Sequence, residues 1–327
     1  MNGENEIMNN STYEKLVVLI HAFNEEELIG KTIDDIPRKI LGIKTVEVLV
    51  VDDGSSDKTV EIAMNAGADK VVSLGKNMGV ASAFMTGVRN AISMKADLVV
   101  TLDADGQFPP KQVSEIIIPI LNNQYDMVSG ARFTKDIPKD YPKTKLIGNK
   151  LFSKMVSMVV GQKFQDTQTG FRAYNRSALL NISIISEYNF AQEVVIDLTF
   201  KKFRLGEIPV KVLFDKNRKS RIVRNIFSYS SKALSTIIRS IFYHRPLMAF
   251  GLFGAFLCAG GIFAKLLTIS RTLPISDSLE NGLIILGIVS FMMGLLANIV
   301  FKRQAFTEKD IRHYIEKFGN SDTEDRN

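Results

Sequence analysis

Tryptophan is absent from the 327 residues, cysteine occurs once (Cys258), and histidine occurs three times (His21, His244 and His313). One cysteine excludes a disulfide framework and a cysteine-rich zinc site, and three scattered histidines leave too little for a histidine metal cluster. Basic charge is also scarce outside one place. The chain carries 41 Lys and Arg against 35 Asp and Glu, a net of +6, yet Arg218–Arg245 holds seven basic residues and no acid. Without that segment, 34 basic residues face 35 acidic ones. An excess confined to one short stretch excludes a globally basic nucleic-acid binder and points to a local anionic surface. Apolar residues make up 46% of the chain and charged residues 23%, which excludes a chain that is mostly membrane.

Residues 1–13 are polar and read as a disordered start. Buried-strand runs then recur at Leu16–Ile20, Val46–Val51, Lys70–Ser73, Leu98–Leu102 and Met127–Ser129. Helix-like stretches alternate with them at Glu25–Ile36, Lys58–Ala66, Val80–Met94 and Pro110–Leu121. Continuous apolar strands alternating with helices predict an α/β domain, its sheet mostly parallel and covered on both faces. Further helices at Leu146–Val160 and Ala191–Phe203 and a late strand at Glu207–Leu213 complete a domain over 14–217.

The remainder differs. Within 218–245, basic and polar residues alternate with aliphatic and aromatic ones at spacings of 3 and 4, as in an amphipathic helix lying at an anionic lipid surface. Leu247–Ala264 is a charge-free stretch of 18 residues and Gly282–Phe301 one of 20. Each is about long enough for a transmembrane helix, which needs roughly 20 residues, so two spans are expected, at about 247–269 and 282–301 within 246–302. A polar tail follows over 303–327. Basic residues flank the hairpin on its outer sides, Arg239 and Arg245 before it and Lys302 and Arg303 after it. The positive-inside rule then places the large domain and the C-terminus in the cytoplasm of a two-span membrane protein.

Ligands of open α/β sheets bind beyond the carboxyl ends of strands, and those ends are acidic here. The first strand leads into Phe23-Asn24-Glu25, and the second into Asp52-Asp53-Gly54-Ser55-Ser56-Asp57. Carboxylates there suit a nucleobase or ribose, although Asp52 and Asp57 also fit a turn and a helix cap. The fourth strand ends in Asp103-Ala104-Asp105-Gly106-Gln107. Two carboxylates at i and i+2 can hold one hard divalent cation, Mg²⁺ or Mn²⁺, that bridges substrate phosphates.

Phe23-Asn24-Glu25, Val51–Asp57, Lys76-Asn77-Met78-Gly79, Asp103–Gln107, Ser129-Gly130-Ala131-Arg132 and Asp166-Thr167-Gln168-Thr169-Gly170-Phe171-Arg172 stand in one order along the chain. As a set they resemble the inverting family 2 glycosyltransferases of GT-A fold, in particular the branch that makes polyprenyl- or dolichyl-phosphate hexoses. The resemblance covers roughly residues 14–220. It implies that Phe23, Glu25, Val51 and Asp53 line the nucleoside pocket. Asp103, Ala104, Asp105 and Gln107 would meet the donor diphosphate, with Asp103 and Asp105 on the metal. Arg132 would face the phosphates, and Gln168 would shape the acceptor side. His21 stands where that family usually has proline, and Lys143 or Lys145 would stand for an arginine before the Leu146 helix.

The expected reaction moves one hexose-type sugar from a UDP- or GDP-sugar to a polyprenyl phosphate, with inversion. A phosphate acceptor is largely dianionic at pH 7, so it needs cations rather than a strong base. Arg132, Arg218 and Arg221 are assigned that role. For a hydroxyl acceptor, Asp166 or Glu193 would serve as base; structurally they could equally be a loop cap and a first-turn acid. A processive polysaccharide synthase, which typically carries a Gln-x-x-Arg-Trp element, is excluded by the missing tryptophan. A catalytically inactive, membrane-tethered nucleotide-binding module is the reading from another class. The partners expected are a nucleotide-sugar, a polyprenyl-phosphate lipid and the membrane, with no nucleic acid. Glycines in the hairpin would allow close helix packing within or between protomers, hence a homo-oligomer.

Overall fold

The computed structural model describes residues 13–134, 141–184, 190–213, 235, 238–243, 245–270 and 276–318, the side chains of 302 and 304–318 excepted. The chain divides into two compact units, Met1–Ile237 and Ile238–Asn327.

The first unit is built on a mixed seven-stranded sheet in the order β3-β2-β1-β4-β6-β5-β7. Strands β1 (Tyr13–Ala22), β2 (Ile43–Asp52), β3 (Lys70–Ser73) and β4 (Leu98–Asp103) run parallel. Leu16–Ile20 on β1 and Val48–Val51 on β2 are fully buried, so the apolar runs face helices on both sides, as parallel strands require. Between the strands lie α1 (Ile29–Asp34), α2 (Thr59–Asn65) and α3 (Val80–Ser93). Helix α3 crosses so close to β1 that a Cβ on Gly87 would lie 2.5 Å from the Leu19 methyls.

Two local differences from the sequence expectation have plain causes. The helix expected over Pro110–Leu121 is a 3₁₀ turn (Pro110–Gln112) followed by α4 (Val113–Ile116) and α5 (Ile118–Leu121). Pro119 has no N–H to continue the ladder, and its ring crowds the preceding turn. The late strand is β7 (Leu205–Pro209), paired parallel with β5 (Met127–Ala131). Beyond Pro209 the regular ladder stops, and the chain is held by the Val210 amide on the Ala131 carbonyl (3.1 Å), the Leu213 amide on the Gln107 carbonyl (2.9 Å), and Gln112, which donates to and accepts from the Lys211 backbone at 3.0 and 2.7 Å.

A short strand not expected from the pattern, β6 (Arg172–Asn175), runs antiparallel between β4 and β5. It carries the 166–171 loop to the end of the sheet where Asp103 lies, since Thr101 pairs with Arg172. Helix α6 (Lys143–Val160) precedes this loop; α7 (Arg176–Asn181) and α8 (Phe190–Phe200) follow β6.

The second unit contains α9 (Pro246–Ile269) and α10 (Asp277–Phe318), the latter running past the basic pair Lys302-Arg303. Their apolar parts, 24 and 25 residues, are long enough to cross a bilayer. Phe256 and Leu296 are 74% and 64% exposed, unlike side chains of core helices. The two helices meet backbone to backbone: a Cβ on Gly254 would lie 2.5 Å from the Gly287 carbonyl oxygen. Ser290 donates to the Phe250 carbonyl (2.9 Å), and the Thr268 hydroxyl to Glu280 (2.6 Å).

Leu19 tests the main core. Leu19→Ala should cost about 2–5 kcal/mol, because it removes a fully buried side chain that α3 has no means of replacing. Urea unfolding of the full chain in detergent, followed by circular dichroism, measures this; a loss under about 1 kcal/mol would contradict the packing described.

Candidate functional site

His21 on β1 lies level with Val51 on β2 and with Asp103 on β4. The loops after these strands therefore leave the sheet side by side, at the point where successive strands turn to opposite sides of β1. The His21 ring packs against Phe84 and Phe190, with centroids 5.9 and 6.4 Å away, and burial lowers its pKa to about 4. It is a neutral packing group at pH 7.

The first two loops are stitched together. Asn24, at φ 54°, accepts from the Ser56 amide (2.8 Å) and donates its own amide to Ser55 Oγ (2.8 Å), while the Glu25 amide donates to Thr59 Oγ1 (2.7 Å). Phe23 and Glu25 are half-buried at this rim, and Val51 at the end of β2 is buried. The adjacent acids divide their work. Asp52 accepts from the Ser55 amide (3.1 Å) and the Ser73 hydroxyl (2.7 Å), a turn-forming role. Asp57 likewise accepts from the Thr59 amide (3.0 Å).

Asp53 instead reaches across to the Met78 and Gly79 amides (2.7 and 3.0 Å), drawing the 75–79 loop over the site. Burial raises its pKa, the two amides lower it and Asp52 raises it, leaving it above the ordinary range. Gly54 is required for this approach: at φ +77° it lies against the Lys76 backbone, where a Cβ would overlap.

Asp103 ends β4, and buried Ala104 fixes the turn after it through its amide on the His21 carbonyl (3.1 Å). Asp105 Oδ1 accepts from the Gln107 amide (3.0 Å). The Asp103 pKa is pushed up to about 7, first by burial and then by Asp105, with Glu25 adding to the effect and Arg132 opposing it. Two further acids and one arginine thus act on Asp103. The donor set is all carboxylate oxygen, which suits a hard divalent cation. Among the described residues no group of three or more His, Cys, Asp or Glu side chains forms a cage. Two carboxylates alone fit an ion that takes its other ligands from substrate phosphates and water.

Arg132, just past β5, is gripped by Asp166: Nε to Oδ2 at 2.6 Å and Nη2 to Oδ1 at 3.0 Å, a bidentate fork. Asn149 on α6 (3.0 Å) and the Gln168 amide (3.1 Å) also donate to Asp166, which is wholly buried. Burial pushes the Asp166 pKa up, but the charge and hydrogen bonds of Arg132 outweigh it and, with Asn149, hold the carboxyl below the ordinary range. With that many donors on its two oxygens, Asp166 is held as the counter-ion of Arg132. Glu193 is buried in the first turn of α8. The Gln168 side-chain nitrogen is buried without a hydrogen-bond partner. Arg218 and Arg221 lie outside the described residues.

Asn149 and Glu207 are shaping residues that motif reading did not single out, and Arg172, part of the last motif, was given no role by it. Arg172 is buried, and its guanidinium joins the Thr167 carbonyl (2.9 Å) to the Ala191 carbonyl (2.7 Å). Asn149 had one available signal, a polar residue on the same α6 face as Phe152 and Val156. Glu207 had none.

An α/β domain with its ligand loops at the carboxyl ends of the central strands, two acids after β4 and a fixed arginine after β5 is a GT-A-like transferase domain. The chain belongs to glycosyl transferase family 2, which its residues 17–182 match. It is similar to the UDP-N-acetylglucosamine–dolichyl-phosphate N-acetylglucosaminyltransferase of Methanococcus voltae, at 31% identity over 64% of this chain and 90% of that protein. It is also similar to the undecaprenyl-phosphate 4-deoxy-4-formamido-L-arabinose transferase of Pectobacterium carotovorum, at 26% identity over 92% of both. The solved structure of glucosyl-3-phosphoglycerate synthase from Mycobacterium tuberculosis with uridine diphosphate shares the fold, with a TM-score of 0.56 and 22% identity over 69% of this chain and 80% of that one.

The Asp166 pairing carries a pH signature. A depressed native pKa means that Asp166 stabilises the fold above its unfolded value of about 3.9, and that this stability is lost as pH falls through the lower native value. Asp166→Asn should therefore cost about 3–5 kcal/mol at pH 7 by leaving Arg132 uncompensated. The gap to wild type should shrink as pH is lowered below about 4. Thermal unfolding at a series of pH values tests this, and a gap that does not change with pH would contradict it.

Proposed function

We propose that the chain transfers a single hexose-type sugar, with inversion, from a nucleotide diphosphate to the phosphate of a dolichyl or undecaprenyl lipid, assisted by Mg²⁺ or Mn²⁺. The observation that carries this reading is the meeting of Asp103, Asp105 and Arg132 at one end of a family 2 sheet, in a chain that also has two apolar helices of bilayer length. The names of the Methanococcus and Pectobacterium relatives, each specifying a lipid phosphate, support the acceptor. Uridine diphosphate in the Methanococcus enzyme's donor, and uridine diphosphate with Mn²⁺ in another structure of the mycobacterial synthase, support a UDP-sugar and a divalent ion. In this reading 14–217 is catalytic, 218–245 lies on the lipid surface, and 246–302 crosses the membrane twice with both ends cytoplasmic.

Phe23, Glu25, Val51 and Asp53 hold the nucleoside, and the Asp53-tethered 75–79 loop closes over it. Held by Asp103 and Asp105, a divalent ion would neutralise the charge that develops on the departing diphosphate. Ala104 and Gln107 fix the turn that carries this acid pair. Arg132 is 13% exposed and pre-oriented by Asp166, so it offers a fixed cation without the entropy of ordering a free side chain. A dianionic phosphate is already a nucleophile, so the task is to hold it in line against the donor's charge. Arg132 with Arg218 and Arg221 does this. Gln168 borders the acceptor, and neither Asp166 nor Glu193 is needed as a base.

The deciding experiment is a donor screen. Purified protein, polyprenyl phosphate and Mg²⁺ or Mn²⁺ are given UDP- and GDP-sugars, and a lipid-linked sugar is sought; no product from any donor would sink the proposal. Asp105→Asn should lower transfer at least about a hundredfold in a folded protein, and full activity would remove the acid pair from the mechanism. Reversing charge at Arg218 and Arg221 should raise KM for the lipid phosphate about tenfold, which is about 1.4 kcal/mol, with donor KM little changed. Equal losses for both substrates would refute the acceptor assignment.

A further inference from the structure

The loop between α6 and β6 is tied down along its length. Glu207 on β7 accepts from the Gln165 and Asp166 amides (2.7 and 2.9 Å), and Ser153 on α6 from the Thr167 amide (3.0 Å). The Thr101 hydroxyl on β4 donates to the Gly170 carbonyl (2.5 Å), and the Gly130 amide on β5 to the Phe171 carbonyl (2.9 Å). A loop bonded to three strands and a helix cannot shift without breaking several of these contacts together.

Gly170 lies against the Asp103 carboxylate. A Cβ there would sit 2.8 Å from Oδ2 and 3.3 Å from Oδ1, inside normal carbon–oxygen separation. Gly170 is not among the glycines with positive φ, so its backbone would accept alanine. The group in the way is the far end of a rotatable side chain. The pinned loop would stay and the carboxylate would turn.

We propose that Gly170 is a positioning residue for the donor site: the space left by its missing side chain seats the Asp103 carboxylate and sets the direction in which it meets the cation and diphosphate. This rests on the donor-site reading above. The same segment begins at Asp166, which aims Arg132, so one fixed loop gauges the donor-side acid and the acceptor-side arginine together. Catalytic geometry is sensitive at this scale, where a misplacement of about 1 Å can cost on the order of a hundredfold.

The test uses the full chain in detergent, with Mn²⁺ binding followed by electron paramagnetic resonance in separate titrations with UDP and with GDP. Gly170→Ala should keep the wild-type melting temperature, weaken nucleotide-dependent Mn²⁺ binding at least about tenfold, and leave KM for the lipid phosphate nearly unchanged. Asp103→Ala should lose most of the Mn²⁺ binding, and Gly170→Ala/Asp103→Ala should be no worse than Asp103→Ala, because the three atoms nearest the added methyl are then gone. Unchanged Mn²⁺ binding in Gly170→Ala beside a clear loss in Asp103→Ala would overturn the inference and leave the donor site standing, and additive losses in the double variant would also overturn it. Should Gly170→Ala melt early, Asp103→Ala in the same chain should restore it; failure to do so would place the clash elsewhere and refute the proposal. Full Mn²⁺ binding by Asp103→Ala would instead refute the donor-site reading.

Discussion

Asp166 is a carboxylate with no access to water, and the transfer site is arranged around the need to satisfy it. An isolated buried charge costs several kcal/mol, so its place depends on the Arg132 fork, Asn149 and the Gln168 amide together. Those partners come from the end of β5, from α6 and from the loop itself, so satisfying one side chain brings three parts of the chain to one point. The loop that results is the one whose other end presses Gly170 against Asp103. Asp103 and Arg132 are thereby both set by one tied-down loop.

The parallel half of the sheet was legible because strands buried on both faces must read as apolar runs, and Leu16–Ile20, Val48–Val51 and Leu98–Val100 are unbroken ones. The antiparallel insertion was not. β6 is four residues long, opens on a buried arginine and closes on Asn175, so neither alternation nor a run marks it. Arg172 is tolerated there because two backbone carbonyls receive its guanidinium, a fact of tertiary structure.

Within the site, acids placed directly after apolar strands were readable as ligand-loop residues. What each of two neighbouring acids is bonded to was not readable. Asp52 and Asp53 differ only in which amides and hydroxyls come within reach, and those belong to residues 55, 73, 78 and 79. The Arg132–Asp166 fork joins residues 34 apart whose meeting depends on β6, so motif order could suggest Arg132 for phosphate and Asp166 for a base or a loop cap without revealing that they hold each other.

That fork bears on where the cationic charge must come from. An arginine sharing both fork positions with a carboxylate is close to neutral as a pair, so in the proposed reaction Arg132 would direct a phosphate more than compensate one. In the proposed reaction two anionic groups approach each other: the diphosphate, whose charge the acid pair can offset only through a cation, and a largely dianionic lipid phosphate. Outside Arg218–Arg245, acids outnumber bases by one and offer no general excess to answer the second of these. The seven basic residues of that segment stand directly before the apolar helices, where a lipid-borne phosphate would be presented. A phosphate already held there by Arg218 and Arg221 would reach Arg132 with its repulsion largely offset, leaving the fork the narrower task of orientation.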